Sequence, residues 1–370
     1  MDLLQARMRN QKLAASGLTT APEVVGWLGA VQAQDYAAAK WGLGLRATDL
    51  TERVIDEAFD RGEILRTHVM RPTWHFVLPG DIRWLLALTA PQVHRIAAPR
   101  HRRLGLDAGT FRRSRRVLER ALRDRTHLTR AEIAAAFARS GVPAAPLQVS
   151  HIMLHHELEA LVCSGPRRGA QFTYALLEER VPLVKTRARD ESLADLTRRY
   201  LQSHGPATLQ DFGWWSGLSM KDVRAGVAMM KPIVEEIMVD GLTYVRLPDA
   251  APRSDGLRAD PSVLLLPVYD EYVIAYRDRT AIAHAGVDVF ANSIVVDGRI
   301  RGSWRRTLTR GSVVLEAAPD SRMDASTRTA LEAQVERYAQ FTGLNVECTS
   351  ASPGAKTRRA TAGSRSRRPR

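Results

Sequence analysis

Three times along this chain a run of helical periodicity is closed by the signature of a short β hairpin, and no other feature constrains the fold so much. In the first copy, Leu3 to Leu13 predicts a short amphipathic helix. Thr20, Pro22 and Glu23 supply an N-cap, an early proline and a first-turn acid, so a second helix starts there and carries Val24, Val25, Leu28 and Val31. A third starts at Thr51, with Val54, Ile55, Ala58 and Phe59 on one face, and ends near Gly62. Ile64 to Val69 and Trp74 to Val77 then read as strands around Met70, Arg71, Pro72 and Thr73.

The second copy has a basic helix from Asp107 to Arg123 and a helix opened by a Thr129–Glu132 capping box and running to Ser140. A further helix spans Pro146 to Cys163, and a strand pair (Val162 to Ser164, Gln171 to Tyr174) surrounds Arg167 and Arg168. The third copy places helices at Leu193 to Gln202, after Thr208 and after Ser219, with a hairpin at Asp240-Gly241. Three helices and a hairpin make a winged helix, the hairpin being the wing. From Ser262 the pattern becomes β, with Val263 to Tyr269, Ile294 to Ile300, Ser303 to Arg305 and Val313 to Glu316 as strands and Ala325 to Phe341 as a helix. The expected fold is mainly α with β. It has three tandem winged-helix motifs (1–104, 105–190, 191–255), each closing its own core, then a small β-barrel-like domain (256–350) and a disordered basic tail (351–370).

The formal charge of +14 is concentrated. Residues 95–130 hold twelve arginines against Asp107, Glu119 and Asp124, and the last twenty residues are basic with no acid. Local basicity of this kind suits a phosphate backbone, because clustered arginines release condensed counterions. Arg112, Arg113, Arg115 and Arg116, with Arg167 and Arg168 at a wing tip, are therefore expected to hold DNA phosphates. A solvated helix face is the plainer explanation of the central segment.

Other chemistries find little support. No apolar run is long enough for a membrane helix, and the N-terminus lacks a secretory pattern. Cys163 and Cys348 lie far apart in apolar surroundings and read as buried free thiols, in keeping with a reducing cytoplasm. There is no Walker loop, no GxGxxG after a strand and no Cys/His zinc spacing. His151 and His155 stand four apart beside His156 and Glu157, but a third ligand is not evident, so packing or phosphate contact is expected and no metal or cofactor is assigned. Trp27, Trp41, Trp74, Trp214 and Trp215 are expected in the core.

The suggestive segment is Gln32-Ala33-Gln34, placed at the end of the second helix. Two carboxamides can orient one water, since each donates and accepts. Glycosidic cleavage passes through an oxocarbenium-like state that needs a placed water, and a cationic leaving base such as an N7-alkylguanine needs little acid help. Ordinary helix polarity also accounts for such a pair.

Several segments together resemble one family. They are Gln32-Ala33-Gln34; Arg66 to His75; His204 to Thr208; Asp211 and Phe212; Trp215 to Leu218; Leu265 to Tyr272; Val296 to Arg299; and Gly302 to Trp304. In these the chain resembles the winged-helix DNA glycosylases of the AlkZ/YcaQ-like type, from residue 1 to about 348. In that family a Gln–apolar–Gln element is the proposed catalytic motif, which maps onto Gln32 and Gln34. The YcaQ-like branch has Asp in the second place, so Gln34 puts this chain with the AlkZ-like branch. The resemblance implies a cofactor-free monomer that removes bulky or cross-linked alkylpurines from double-stranded DNA. Thr67, His68, Arg71 and His75 alternate along the first wing, where some would face the cleft beside Gln32 and hold phosphate or lesion. Asp270 and Glu271 are the one paired carboxylate at a strand end with aromatic neighbours, and could supply an acid or electrostatic stabiliser, but are expected to organise the contact between the C-terminal domain and the winged helices. The rival reading is a winged-helix DNA-binding protein or regulator without chemistry. Such regulators usually dimerise to set half-site spacing, and no long dimerisation helix is visible.

Overall fold

Local side chains start most of the helices. Asp2 accepts from the N–H groups of Leu4 and Gln5 and opens α1 (Leu3–Asn10). Thr20 and Glu23 close a capping box on α2 (Ala21–Leu28). Gly29, at φ 81°, ends α2 three residues before Gln32, so Val31 lies not on that helix but in β1 (Val31–Gln32). Asp35 caps α3 (Tyr36–Gly44), a helix buried nearly all round, and hence without the one-sided pattern that periodicity detects. Thr51 caps α4 (Glu52–Arg61), and Gly62 ends it in the left-handed region as expected.

β2 (Leu65–Val69) and β3 (Arg71–Val77) turn about Met70 alone, at φ 64°, so Arg71 and Thr73 belong to the strand and not to a loop. β1, β3 and β2 form one antiparallel sheet in that order. The chain then runs through α5 (Pro79–Arg103), of 25 residues, whose internal Pro91 and Pro99 hide it from a sequence reading.

The second unit holds α6 (Ala108–Ala121), β4 (Leu128–Thr129), α7 (Arg130–Arg139) and α8 (Pro146–Leu158). α8 stops short of Cys163 because Ala160, at φ 52°, turns the chain into β5 (Val162–Ser164), which pairs with β6 (Thr173–Leu176). A short α9 (Leu177–Arg180) leads to α10 (Arg189–His204), α11 (Leu209–Ser216) and α12 (Met220–Met229), the last two capped by Thr208 and Ser219 as expected. The hairpin β7 (Glu235–Val239) and β8 (Leu242–Arg246) turns through Asp240 and Gly241, both at positive φ.

The C-terminal part contains β9 (Val263–Leu266), the single turn α13 (Glu271–Ile274), β10 (Ser293–Val296), β11 (Arg299–Thr309), β12 (Ser312–Pro319), α14 (Ala325–Thr342) and β13 (Asn345–Ser350). Its strands lie in the order β13-β12-β11-β10-β9, and no pairing joins β13 to β9 among the described residues. The sheet is therefore an open curled layer covered by α14, in place of the expected barrel.

The computed structural model describes residues 2–14, 16–183, 186–248, 261–284 and 286–350, so the basic tail expected at 351–370 lies outside the described residues. Among the described residues, three apolar cores hold this mixed α/β fold together. One belongs to the second unit, from Leu106 to Leu176. Another joins Leu4–Phe76 to Val263–Phe341, so the first unit and the C-terminal sheet share one interior instead of closing two. The third packs α5 and the β2–β3 hairpin against α10 and α11. Trp41 crosses the shared interior, its indole N–H donating to the Leu265 carbonyl at 2.7 Å. Trp41 and Trp215 are core residues as expected, whereas Trp27 and Trp74 are half-buried and Trp214 is 41% exposed. Cys163 is buried, but Cys348 is exposed on the parallel edge strand β13. Among the described residues no helix is long and apolar enough to cross a membrane.

Candidate active site

The sheet register brings together residues that the sequence spaces far apart. Gln32 on β1 lies opposite His75 on β3, and His75 lies opposite Thr67 on β2. Directly opposed side chains share a face, so Gln32, His75 and Thr67 form one row across the sheet. Arg71 reaches the head of this row, and its guanidinium donates to Gln32 Oε1 at 2.9 Å. The Gln32 backbone N–H donates to Glu271 Oε1 at 2.7 Å. Gln32 is thus held from both ends and is 8% exposed.

Glu271 is buried on α13 and accepts on its other oxygen from the Trp215 indole at 3.0 Å, with His204 Nε2 at 3.5 Å. Burial opposes its charge, but His204, Arg71 and the Gln32 N–H together hold its carboxyl down at about 2. Asp270 beside it makes a two-armed pair with Arg46, at 2.7 and 2.8 Å. The two carboxylates therefore tie the C-terminal part to the first unit and to α11, as their sequence position suggested.

His75 is fully buried, and its Nδ1–H donates to the Thr73 carbonyl at 2.9 Å. Burial and the nearby Arg71 push its pKa down to about 3, so the ring is neutral and Nε2 keeps its lone pair. Among the described residues that Nε2, Thr67 Oγ1, Thr73 Oγ1 and Arg71 Nε have no hydrogen-bond partner. Buried polar atoms left unpaired cost about 1–3 kcal/mol each, so a group of them beside Gln32 favours an ordered water or a polar substrate group.

Gln34 sits just past β1 and is exposed. Its Oε1 accepts from the Trp74 N–H at 3.4 Å. Trp74 is flanked by the His68 ring, 4.3 Å between centroids, and by the Arg66 guanidinium, 4.3 Å over its face. Arg130 approaches the same indole from the second unit, at 5.6 Å. Burial lowers the Arg66 pKa to about 10, which leaves it charged at neutral pH, and it donates to the Ala33 carbonyl at 2.9 Å. Arg66 and Trp74 were not among the expected binding residues, and Arg130 was expected only as one arginine of the basic segment 95–130. An aromatic ring between cations is a signal visible only once the register is known.

The other expected DNA contacts divide. Arg112, Arg113, Arg115 and Arg116 are all exposed on α6, opposite its buried Thr110, Ser114 and Leu118. Arg115 pairs with Glu119 at 2.7 Å. Thr67 and His68 are buried, and His68 is paired with Glu157. Thr67 faces the Gln32–His75 row and His68 lies on the other face of the sheet beside Trp74, so neither offers an exposed surface to phosphate. Arg167 points back to the first unit, its side chain on Asp56 at 3.3 Å and its N–H on Asp60. Arg168 remains outward, paired with Glu132 at 2.6 Å. His151 and His155 do not act as a pair: His151 packs against His101, whereas His155 faces His94 of α5.

The sequence family described as DNA glycosylase AlkZ-like matches residues 25–341. An interstrand DNA cross-link repair glycosylase of Streptomyces sahachiroi is 23% identical over 370 residues, covering 92% of this chain and 95% of its own. The solved structure of the Streptomyces sahachiroi DNA glycosylase AlkZ superposes with a TM-score of 0.75 at 22% identity, covering 94% of this chain and 98% of that one.

Proposed function

Because the chain belongs to the AlkZ-like DNA glycosylase family, we propose that it hydrolyses the N-glycosidic bond of alkylated purines in double-stranded DNA, including N7- and N3-substituted, bulky and cross-linked ones. The observation that carries this reading is the setting of the glutamine pair. Gln32 is fixed between Arg71 and Glu271, and Gln34 emerges beside Trp74 at the seam between the first and second units. In the proposed mechanism the two carboxamides orient a water toward C1′ while positive charge develops on the sugar. N7-alkylation makes the departing base cationic already, so no general acid is required of the protein. The buried Glu271 carboxylate acts through the Gln32 backbone as a positioning residue. The related Streptomyces sahachiroi protein is described as a cross-link repair glycosylase, which supports cross-linked purines as substrates here.

The three helix-and-hairpin units, 1–104, 105–190 and 191–255, are read as winged helices lining one DNA channel, with the β domain at 256–350. The exposed arginines of α6 and Arg168 hold phosphates from the second unit, with Arg130 and Trp74 nearer the lesion. Three units in one chain span a long footprint, so a monomer acting in the cytoplasm suffices. The test is excision from an oligonucleotide carrying one N7-alkylguanine, with the Gln32→Ala, Gln34→Ala double variant alongside. The reading requires an abasic product from the wild type, lost in the variant while DNA binding persists. Binding without product across small and bulky N7 and N3 adducts would overturn it and leave a DNA-binding protein.

A further inference from the structure

We propose that His94, His155 and Glu159 form a divalent-cation site of the zinc class, which clasps α8 to the long helix α5. His94 lies midway along α5, and Glu159 is the residue that ends α8, one helical turn after His155. One ligand atom from each of the three lies within 4.8 Å of the other two. Zinc bonds of about 2.0–2.2 Å to nitrogen and oxygen put tetrahedral ligand atoms roughly 3.3 Å apart, so the three atoms must close from within 4.8 Å to that spacing when a cation binds. His94 Nε2 already stands 2.8 Å from Glu159 Oε1.

The surroundings suit a ligand set better than a simple ion pair. The Phe111 ring stacks on His155 at 3.7 Å and 17°, fixing the imidazole plane from α6. Nearby buried ring nitrogens, His101 Nε2 and His151 Nδ1, have no hydrogen-bond partner among the described residues. Two imidazoles and one carboxylate are the donors of open zinc sites, and they leave a fourth position to water. The site is far from Gln32 in the sequence and shares none of its residues. Its effect would be mechanical. It joins α5, which packs on the β2–β3 hairpin, to α8, and through Phe111 it steadies the arginine-bearing α6.

The full-length protein, stripped with chelator, is titrated with Co²⁺ and with Zn²⁺, reading the visible Co²⁺ spectrum and the thermal midpoint. One equivalent of Co²⁺ should give an intense tetrahedral band that Zn²⁺ abolishes, and Zn²⁺ should raise the midpoint by several degrees. His94→Gln and Glu159→Gln should each weaken binding at least tenfold, and His151→Gln should leave it unchanged. Both ligand positions are partly exposed, so the variants are expected to fold, and the midpoint without metal checks that directly. Absence of a band and of a midpoint shift in the wild type overturns the proposal. So does binding that survives His94→Gln, or that is lost on His151→Gln instead.

Discussion

Arg71 holds the Gln32 carboxamide through Oε1 and Glu271 holds its backbone N–H, so the residue is placed before substrate arrives. Removing it should cost rate and spare affinity. We expect Gln32→Ala to lower the single-turnover excision rate roughly 10²-fold, within the range seen when one preorganised polar group is lost, while Kd for lesion DNA changes little. A parallel fall in both quantities would instead make Gln32 a binding residue. The glutamine pair was legible in the sequence because its two members are separated by a single alanine. The partnership with Glu271 was not, since 239 positions separate the two residues and only folding brings them together. His75 carries a prediction about pH. Its folded pKa, about 3, lies below the unfolded value near 6.5, so the unfolded chain binds the proton first. The stabilising contribution is full above pH 6.5 and is lost as pH falls toward 3, by about 1.4 kcal/mol per pH unit for this one buried group. Burial lowers His155 and His156 in the same sense. Chemical denaturation between pH 7 and 4.5 should therefore show stability falling with acid, less steeply in His75→Asn. A flat profile in the wild type would contradict the buried, neutral assignment.

Helices whose starts rest on a nearby side chain were the legible elements. Thr20, Thr51, Asp107, Thr129, Thr208 and Ser219 each cap the helix expected of them, because a cap reaches over only two or three residues. α3 escaped because it is buried on every side, and α5 because Pro91 and Pro99 argue against a helix that tertiary packing nevertheless holds. Long-range fit also explains Gly217, which ends α11 at φ 69°. A Cβ there would stand 2.1 Å from the Met70 carbonyl oxygen, at the turn of the hairpin that bears Arg71. Gly217→Ala must displace that turn, and we expect a loss of at least about 1–3 kcal/mol in urea denaturation from the left-handed backbone alone, together with reduced excision. An unchanged midpoint would mean that α11 and the hairpin move apart freely. On α6 the reverse holds, since its arginines face solvent and carry no packing. Replacing Arg112, Arg113 and Arg116 with Gln should leave the thermal midpoint in place. It should also flatten log Kd against log salt by about 0.9 for each phosphate that is no longer neutralised. An unaltered salt slope would exclude α6 from the DNA interface.

At the scale of the whole molecule, the first unit and the C-terminal sheet depend on each other. They share one apolar interior, and within it Arg46 meets Asp270 with both partners almost fully buried. A buried pair of this kind adds little over an apolar substitute, but stranding one member is expensive, at about 3–5 kcal/mol. Arg46 also donates to the Gly42 carbonyl and to Gln11 Oε1, so its charge cannot turn outward when Asp270 is neutralised. Asp270 is in turn the N-cap of α13, the turn that presents Glu271 to Gln32. Asp270→Ala should therefore act at two distances. It should lower stability by several kcal/mol through the stranded guanidinium, and it should slow excision through a displaced Glu271 under conditions where the protein remains folded. Asp270→Ala combined with Arg46→Met separates the two effects, because the stranded charge is gone while the lost cap remains. The double variant should recover most of the urea midpoint and less of the rate. Recovery of both to the same extent would show that Asp270 serves stability alone and that the C-terminal sheet supports the site only by being folded.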